Sequence, residues 1–524
     1  MPITLSPVNK MKKLPIGIQT FSELIEDQHY YVDKTPLIAE LAATGKYYFL
    51  ARPRRFGKSL LISTLKSAFS GEQALFNGLY LQDHWDWSVR YPVIHISFGR
   101  GVVDSIESLN QIFRAMLDET AKHYGMELEQ QHLVNRFSEL IQNLRANFEK
   151  PVVVLVDEYD KPILDNIENP GLAIEIREGL RNIYSVIKDS DAYIKFALLT
   201  GVSKFSKVSL FSGLNNLKDI SLDSRYATLC GYTLAEIKAV FNGHLEGVDF
   251  ELLAQWYNGY NFLGEKVYNP FDVLLYLDQR IFKNYWFETG SPSFLIKRVR
   301  ERQYLIPDFE NVVIDEAMLA SFDVNEITLE NLLFQTGYLT IDHVEELGGD
   351  RFYYLTFPNR EVKASLASYL LRDLTQSAAS EVASNQIQLY KALSQCDFAK
   401  LEHSLLALFA AIPNDWYRKN QLANYEGYYA SIIYSCFAAL GLKVIAEDVT
   451  NQGRIDLTVM LDDKVFIIEF KVLDEAKKQG AALTQIKAKN YSQKYASAEK
   501  SIFLIGIEFD KAQRNIVFFE WERI

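Results

Sequence analysis

Two groups of residues in this chain have the types and spacing that chemistry on phosphates requires. The first is Gly57-Lys58-Ser59, inside residues 46–69, KYYFLARPRRFGKSLLISTLKSAF. A glycine there lets backbone N–H groups approach phosphate oxygens, a lysine reaches the terminal phosphates, and a hydroxyl serves Mg²⁺ at a positive helix N-terminus. Its companion is PVVVLVDEYDKP, where an apolar run, residues 152–156, ends in Asp157 and Glu158. In nucleotide hydrolysis the first such acid shares Mg²⁺ with the loop hydroxyl and the second polarises the attacking water. Each piece also has a plainer reading: a capped helix start for Gly57-Lys58-Ser59, the start of a solvated loop for the acids. The loop departs from the usual pattern at Arg52, which stands where a glycine is expected.

The second group lies near the C-terminus. Asp456 follows Gly453-Arg454, and Glu469 and Lys471 sit two residues apart in VFIIEFK, hence on one face of a strand. Two carboxylates suit a hard divalent cation, and a lysine ammonium beside them can orient water or stabilise charge on a phosphodiester. Glu426 on a helix at about residues 424–440 extends the candidate metal set, and a backbone carbonyl near Phe470 is a further expected ligand. Gln485 on the following helix is placed to position backbone or water. That helix also carries Lys487, Lys489 and Lys494 with Tyr491, a basic and aromatic surface suited to nucleic-acid phosphates. The plainer reading is a surface hairpin with ordinary charge alternation and a solvated helix.

The elements that must position these groups follow from periodicity. Residues 46–51 read as a strand, 52–57 as a loop broken by Pro53, and Leu60, Leu61, Leu65 and Phe69 recur at helical spacing. Strands at 92–98, 152–156 and 193–200 alternate with helices at about 105–124, 128–148 and 172–188, which predicts a mostly parallel sheet covered on both faces. Thr200, at the end of the last strand, either senses a γ-phosphate or simply starts a turn. Asp33 and Lys34 in YYVDK read as caps of the next helix. Between about residues 233 and 395 helical periodicity and aromatic residues dominate, and 332–341 with 352–357 resembles a helix and hairpin of a winged helix. Without a basic recognition helix, that module is expected to pack rather than read DNA.

Composition bounds the rest. A chain of 524 residues, 48% hydrophobic, is expected to form about three or four folded domains. With 55 Lys plus Arg against 67 Asp plus Glu, the net charge of −12 means nucleic-acid contact must rest on local basic surface. Cys230, Cys396 and Cys436 are far apart with no Cys-x-x-Cys, which disfavours a zinc or disulfide framework. No leader-like or membrane-spanning apolar run occurs, pointing to a cytoplasmic protein.

YYVDKTPLIAEL, ARPRRFGKSLL, VVLVDEYDKPI and LLTGVSKFSKVSLFSGLNNL resemble the bacterial AAA-ATPase-like family, whose phosphate loop reads RPRRFGKS, so Arg52 belongs to that family's own pattern. EGYYASIIY, GRIDLTVM, VFIIEFK and TQIKAKNY resemble the PD-(D/E)xK nuclease-like domain often fused to it. The resemblance implies an α/β protein: a P-loop NTPase parallel sheet at 1–232, a helical, winged-helix-like middle at 233–395 and a restriction-endonuclease-like α/β domain at 396–524. It implies ATP and Mg²⁺ as ligands. Arg54, Arg55, Phe56, Gly57, Lys58, Ser59, Leu60, Asp157 and Thr200 would bind nucleotide. Ser59, Asp157, Glu426, Asp456 and Glu469 would hold metal, and Glu158, Asp456, Glu469, Lys471 and Gln485 would be catalytic. Two functions remain open: an ATPase gating a metal-dependent nuclease, acting on DNA rather than RNA and compatible with a homo-oligomer, or a nucleotide-regulated scaffold with slow or inactive sites.

Overall fold

The all-apolar run at residues 152–156 has no polar position to turn toward water, so it must be covered on both faces. In the computed structural model it is: Val152–Asp157 is buried along its whole length. The described residues are 11–204, 216–287, 295, 298–299, 306–310, 312–320, 328–375, 379–412, 426–473, 479–496 and 500–524. The chain divides into two compact units, residues 1–289 with 313–359 and residues 290–312 with 360–524. The sequence reading divided it at 232/233 and 395/396. The stretch beyond residue 232 falls largely with the N-terminal unit because its aromatic cluster of Tyr257, Tyr268, Tyr276 and Tyr285 packs on Val32.

In the N-terminal unit β1 (Tyr47–Ala51), β2 (Val93–Ser97), β3 (Val152–Asp157), β4 (Ile194–Gly201) and β5 (Lys218–Asp219) form one sheet in the order β2-β3-β4-β1-β5. All its pairings are parallel. Helices Ile106–His123, Leu133–Phe148 and Pro170–Asp189 connect the strands, each with a buried apolar stripe. The helix expected from residue 128 starts at Leu133 instead. The Arg136 guanidinium takes the carbonyls of Leu128 and Gln130, which holds the segment before the helix in another path.

A smaller sheet joins β6 (Val312–Asp315), β7 (Thr340–Leu347) and β8 (Asp350–Thr356) in the order β6-β8-β7. The helix Leu329–Thr336 precedes its β7-β8 hairpin, the expected helix-and-hairpin pattern. The hairpin exposes Asp342, Glu345, Glu346 and Asp350, with His343 and Arg351 paired to Asp342 and Glu346 at 2.9 Å each.

The second unit carries a mixed sheet, β13-β12-β11-β10-β9, made of β9 (Lys443–Thr450), β10 (Gly453–Leu461), β11 (Lys464–Leu473), β12 (Ser501–Asp510) and β13 (Asn515–Arg523). Only β11 and β12 run parallel. The helix Ala481–Ala488 makes the crossover between them. It lies close on the sheet because Gly506, paired with Glu469, has no side chain. A Cβ there would stand 2.6 Å from the Leu483 amide nitrogen. Buried Glu508 fixes the same helix by accepting from the amides of Gly480 at 3.1 Å and Ala482 at 3.0 Å, an anion at the positive helix end.

Gly506→Val is therefore expected to lift this helix and lower the stability of the C-terminal unit by about 1–3 kcal/mol. Calorimetric unfolding of the full chain measures it, and an unchanged transition would refute the close packing at Gly506.

Candidate functional site

Helix Lys58–Phe69 begins directly after a loop that turns through two left-handed residues, Arg55 at φ 67° and Gly57 at φ 89°. Gly57 is suited to that conformation because it lacks a Cβ. No side chain caps the helix, so its first amides point outward at the positive end of the dipole. Residues 54–60 all line one cavity of about 540 Å³, which Glu158, Asp160 and Lys161 line as well. This brings together the predicted Arg54, Arg55, Phe56, Gly57, Lys58, Ser59, Leu60 and Glu158. The Arg55 guanidinium lies 4.9 Å from the Phe271 ring centroid, and Phe56 is buried against Tyr260. Lys58 is itself buried, its Nζ donating to the carbonyls of Arg52 and Pro53 at 2.9 Å each. Burial pulls its ammonium below the ordinary lysine value, opposed by Asp157, Asp160 and Glu158.

The loop and the acids share the C-terminal end of the sheet because β1 and β3 both lie against β4 and run the same way. Leu50 is opposite Thr200, and Val156 is opposite Leu199. Asp157 and Thr200, however, are not among the cavity-lining residues. The fully buried Thr200 hydroxyl donates to Asp157 Oδ1 at 2.8 Å, so it fixes the carboxylate rather than facing the cavity as a sensor would. Glu158 has a left-handed backbone, φ 53°, and its carboxyl is pushed up first by burial and then by Asp157.

Arg52 explains the missing glycine. Its side chain turns into the protein, where Nη1 donates to the carbonyls of Ala51 at 2.9 Å and Ser221 at 2.6 Å, and Nη2 to that of Tyr226 at 3.1 Å. It is 1% exposed, and its guanidinium packs 3.8 Å from the Phe262 ring centroid. Burial lowers its pKa to about 10, so it stays charged at neutral pH. Arg52 thus ties the phosphate loop to the segment after β5 instead of obstructing the phosphates.

The C-terminal site forms where two strands part. The β10–β11 ladder ends at Leu457 opposite Ile468. Beyond it the Phe470 N–H donates to Asp456 Oδ2 at 2.7 Å, which holds the Asp456 carboxylate against β11. Glu469 is 1% exposed; Oε1 accepts from Gln485 Nε2 and lies 3.8 Å from Lys471 Nζ, while Oε2 has no hydrogen-bond partner among the described residues. Burial, then the neighbouring Asp456, pushes its pKa up to about 8, with Lys471 opposing. A buried carboxylate with an acceptor oxygen left over, beside a second carboxylate, fits a divalent cation. Among the described residues no cluster of three or more His, Cys, Asp or Glu forms a metal site. Glu426 heads helix Glu426–Ala439, but its side chain lies outside the described residues.

The expected basic and aromatic surface is reduced. Lys494 pairs with buried Asp448, Lys487 pairs with Glu522, and Tyr491 is 3% exposed, which leaves it no face for base stacking. Lys489 is exposed.

A family model described as predicted AAA-ATPase matches residues 15–211, and one for the PD-(D/E)XK nuclease superfamily matches residues 424–519. A protein of Azotobacter chroococcum mcd 1, named "Uncharacterized protein in vnfD 5'region", is 52% identical over 515 residues, 98% of this chain and 99% of the relative. The chain belongs to this family of predicted AAA-ATPases with a PD-(D/E)XK nuclease domain. Its sequence signals omitted several residues that build the two sites. Asp160 is buried and accepts from the amides of Val202 and Ser203 and from the Ser203 hydroxyl at 2.5 Å, pinning the end of β4 beside the cavity. The last acid of Asp157-Glu158-Tyr159-Asp160 is the available signal. Nothing local marks the Ser221 and Tyr226 carbonyls or Glu508, because their roles are made by residues distant in sequence.

Two outcomes test this geometry. Arg52→Gly, which restores the usual glycine, is expected to leave the Ser221 and Tyr226 carbonyls unpaired and lower stability by at least about 2 kcal/mol without improving nucleotide affinity. Thermal unfolding and ATP titration measure both. Glu469 has a folded pKa above its ordinary 4.5, so the native state holds a proton that the unfolded chain has lost. Its contribution to metal-free stability is therefore full below pH 4.5, falls as pH rises toward about 8 and then levels off. Denaturant titrations across that range should show the decline in the wild-type protein and a shallower one in Glu469→Gln.

Proposed function

We propose that the N-terminal unit binds and hydrolyses ATP with Mg²⁺, and that this gates metal-dependent cleavage of nucleic-acid phosphodiesters, DNA before RNA, by the C-terminal unit. The observation that carries the nuclease reading is Glu469, buried beside Asp456, Lys471 and Gln485 with one oxygen unpartnered among the described residues. Asp456 and Glu469 would hold the cation, which when bound would activate water and neutralise phosphate charge. Gln485 orients the Glu469 carboxylate. The Lys471 ammonium, which cannot coordinate a cation, is left to stabilise charge developing on the attacked phosphate. The acidic β7–β8 hairpin would repel a phosphate backbone, so nucleic acid is not assigned to it.

In the ATP site, terminal phosphates offer Lys58 better acceptors than the two loop carbonyls that hold it. Ser59, which lines the cavity, would hold Mg²⁺ directly, and Asp157, set back from the cavity lining, would share it through water. Glu158, its carboxyl raised by burial and by Asp157, is suited to take a proton from the attacking water.

Plasmid DNA incubated with the full chain, varied divalent metals and nucleotides tests the whole reading. Lys58→Ala should lose ATP binding, while Glu158→Gln should bind ATP but hydrolyse it about 10²–10⁴-fold more slowly. Asp456→Ala should lose metal and cleavage together. Lys471→Ala should keep metal and lose about 10²–10³-fold in cleavage. Variants at Asp456 and Lys471 that cut as well as wild type would refute the C-terminal assignment, and a wild type that cuts nothing would favour the nucleotide-regulated scaffold.

A further inference from the structure

The cavity beside the phosphate loop contains a further lysine, half-buried, that phosphate chemistry does not use. Lys34, read from sequence as a helix cap, stands at the N-cap position of helix Thr35–Thr44, but its Nζ donates to Glu236 Oε1 at 2.5 Å, and its side chain is 11% exposed. The side-chain bond to that helix comes from Asp33, whose Oδ1 accepts from the Thr35 amide at 2.8 Å. Glu236 is held in place by its own helix, Leu234–Val240. Its Oε2 accepts from the Thr233 amide at 2.8 Å, and its amide donates to the Thr233 hydroxyl at 3.2 Å, a reciprocal capping box.

Lys34 lines the cavity together with Tyr31, Cys230, Tyr232, Phe271 and Leu274. A lysine ammonium carries three donors, and Glu236 is the one acceptor recorded for Lys34 among the described residues. Burial depresses its pKa and Glu236 counters that depression. A partly exposed ion pair of this kind adds little net stability, because lost hydration offsets the attraction, so stability alone gives no strong reason for one in this wall. Apolar and aromatic walls with a few fixed polar groups, here Lys34 among Tyr31, Tyr232, Phe271 and Leu274, are by contrast how pockets for flat heterocycles are built.

Given the nucleotide reading of this cavity, on which this inference rests, we propose that Lys34 is a base-reading residue. Its ammonium, held by Glu236, donates to an acceptor on the edge of the nucleobase, while the phosphates engage residues 57–59. Nucleotide recognition is then divided between two lysines: Lys58 holds charge that every nucleoside triphosphate shares, and Lys34 distinguishes the base.

Calorimetric titration of the full chain with ATP and with inorganic tripolyphosphate separates the two roles. The double variant Lys34→Met/Glu236→Gln removes both charges, while glutamine preserves the capping box. It is expected to lose about tenfold to a hundredfold in ATP affinity and to bind tripolyphosphate as wild type does, which also shows that it is folded. Lys58→Ala should weaken both ligands. Unchanged ATP affinity in the double variant overturns the proposal, and so does an equal loss for ATP and tripolyphosphate, which would place Lys34 on the phosphates. Lys34→Arg keeps the charge but moves the donors, and should alter the ranking of ATP, GTP and CTP. An unchanged ranking overturns base reading even if the double variant does not fold. Wild type that binds neither ATP nor tripolyphosphate removes the nucleotide reading itself, an outcome distinct from failure at Lys34 alone.

Discussion

Both sites in this chain are governed by the cost of burying charge. Taking an ionised group out of water costs several kcal/mol unless hydrogen bonds or an opposite charge offset it. Arg52 meets that cost with three carbonyls, and Lys58 with two. Asp160 meets it with two amides and a hydroxyl. Arg52 Nε and Glu469 Oε2 are both left without a hydrogen-bond partner among the described residues, and the Glu469 proton is held to about pH 8. The groups bound to carbonyls and amides fix backbone, whereas the acceptor oxygen of Glu469, set beside Asp456, is where a cation fits.

The same constraint explains how rigid elements support each site. In the N-terminal unit the bonds of Asp160 to Val202 and Ser203 join the ends of β3 and β4, and Thr200 fixes Asp157 from β4. The acidic residues are thereby held from both sides of a strand junction and not by a free loop. In the C-terminal unit the bare Cα of Gly506 admits the helix Ala481–Ala488, Glu508 anchors its N-terminus, and Gln485 then reaches Glu469. A glycine and a buried carboxylate on β12 thus set the orientation of a side chain facing β11.

The sequence determined the chemistry-bearing residues and the elements that carry them. The apolar run 152–156, the helical spacing after Gly57 and the two-residue offset of Glu469 and Lys471 are local patterns, and each became the expected element. What only the tertiary structure decided is where each polar group turns. Arg52 read as a fault in the phosphate loop, but its partners lie about 170 residues away in the chain, at Ser221 and Tyr226. Lys34 stands at the N-cap position of helix Thr35–Thr44, as its sequence position suggests, but its side chain is paired with Glu236 rather than with the helix amides. Tyr491 and Lys494 read as an open binding surface, yet one is buried and the other is bound to Asp448. Periodicity fixes which face of an element is apolar, because that depends on neighbours in sequence. The partner of a buried charge depends on which distant backbone carbonyls and carboxylates the fold brings within hydrogen-bond reach, and no local pattern encodes that distance.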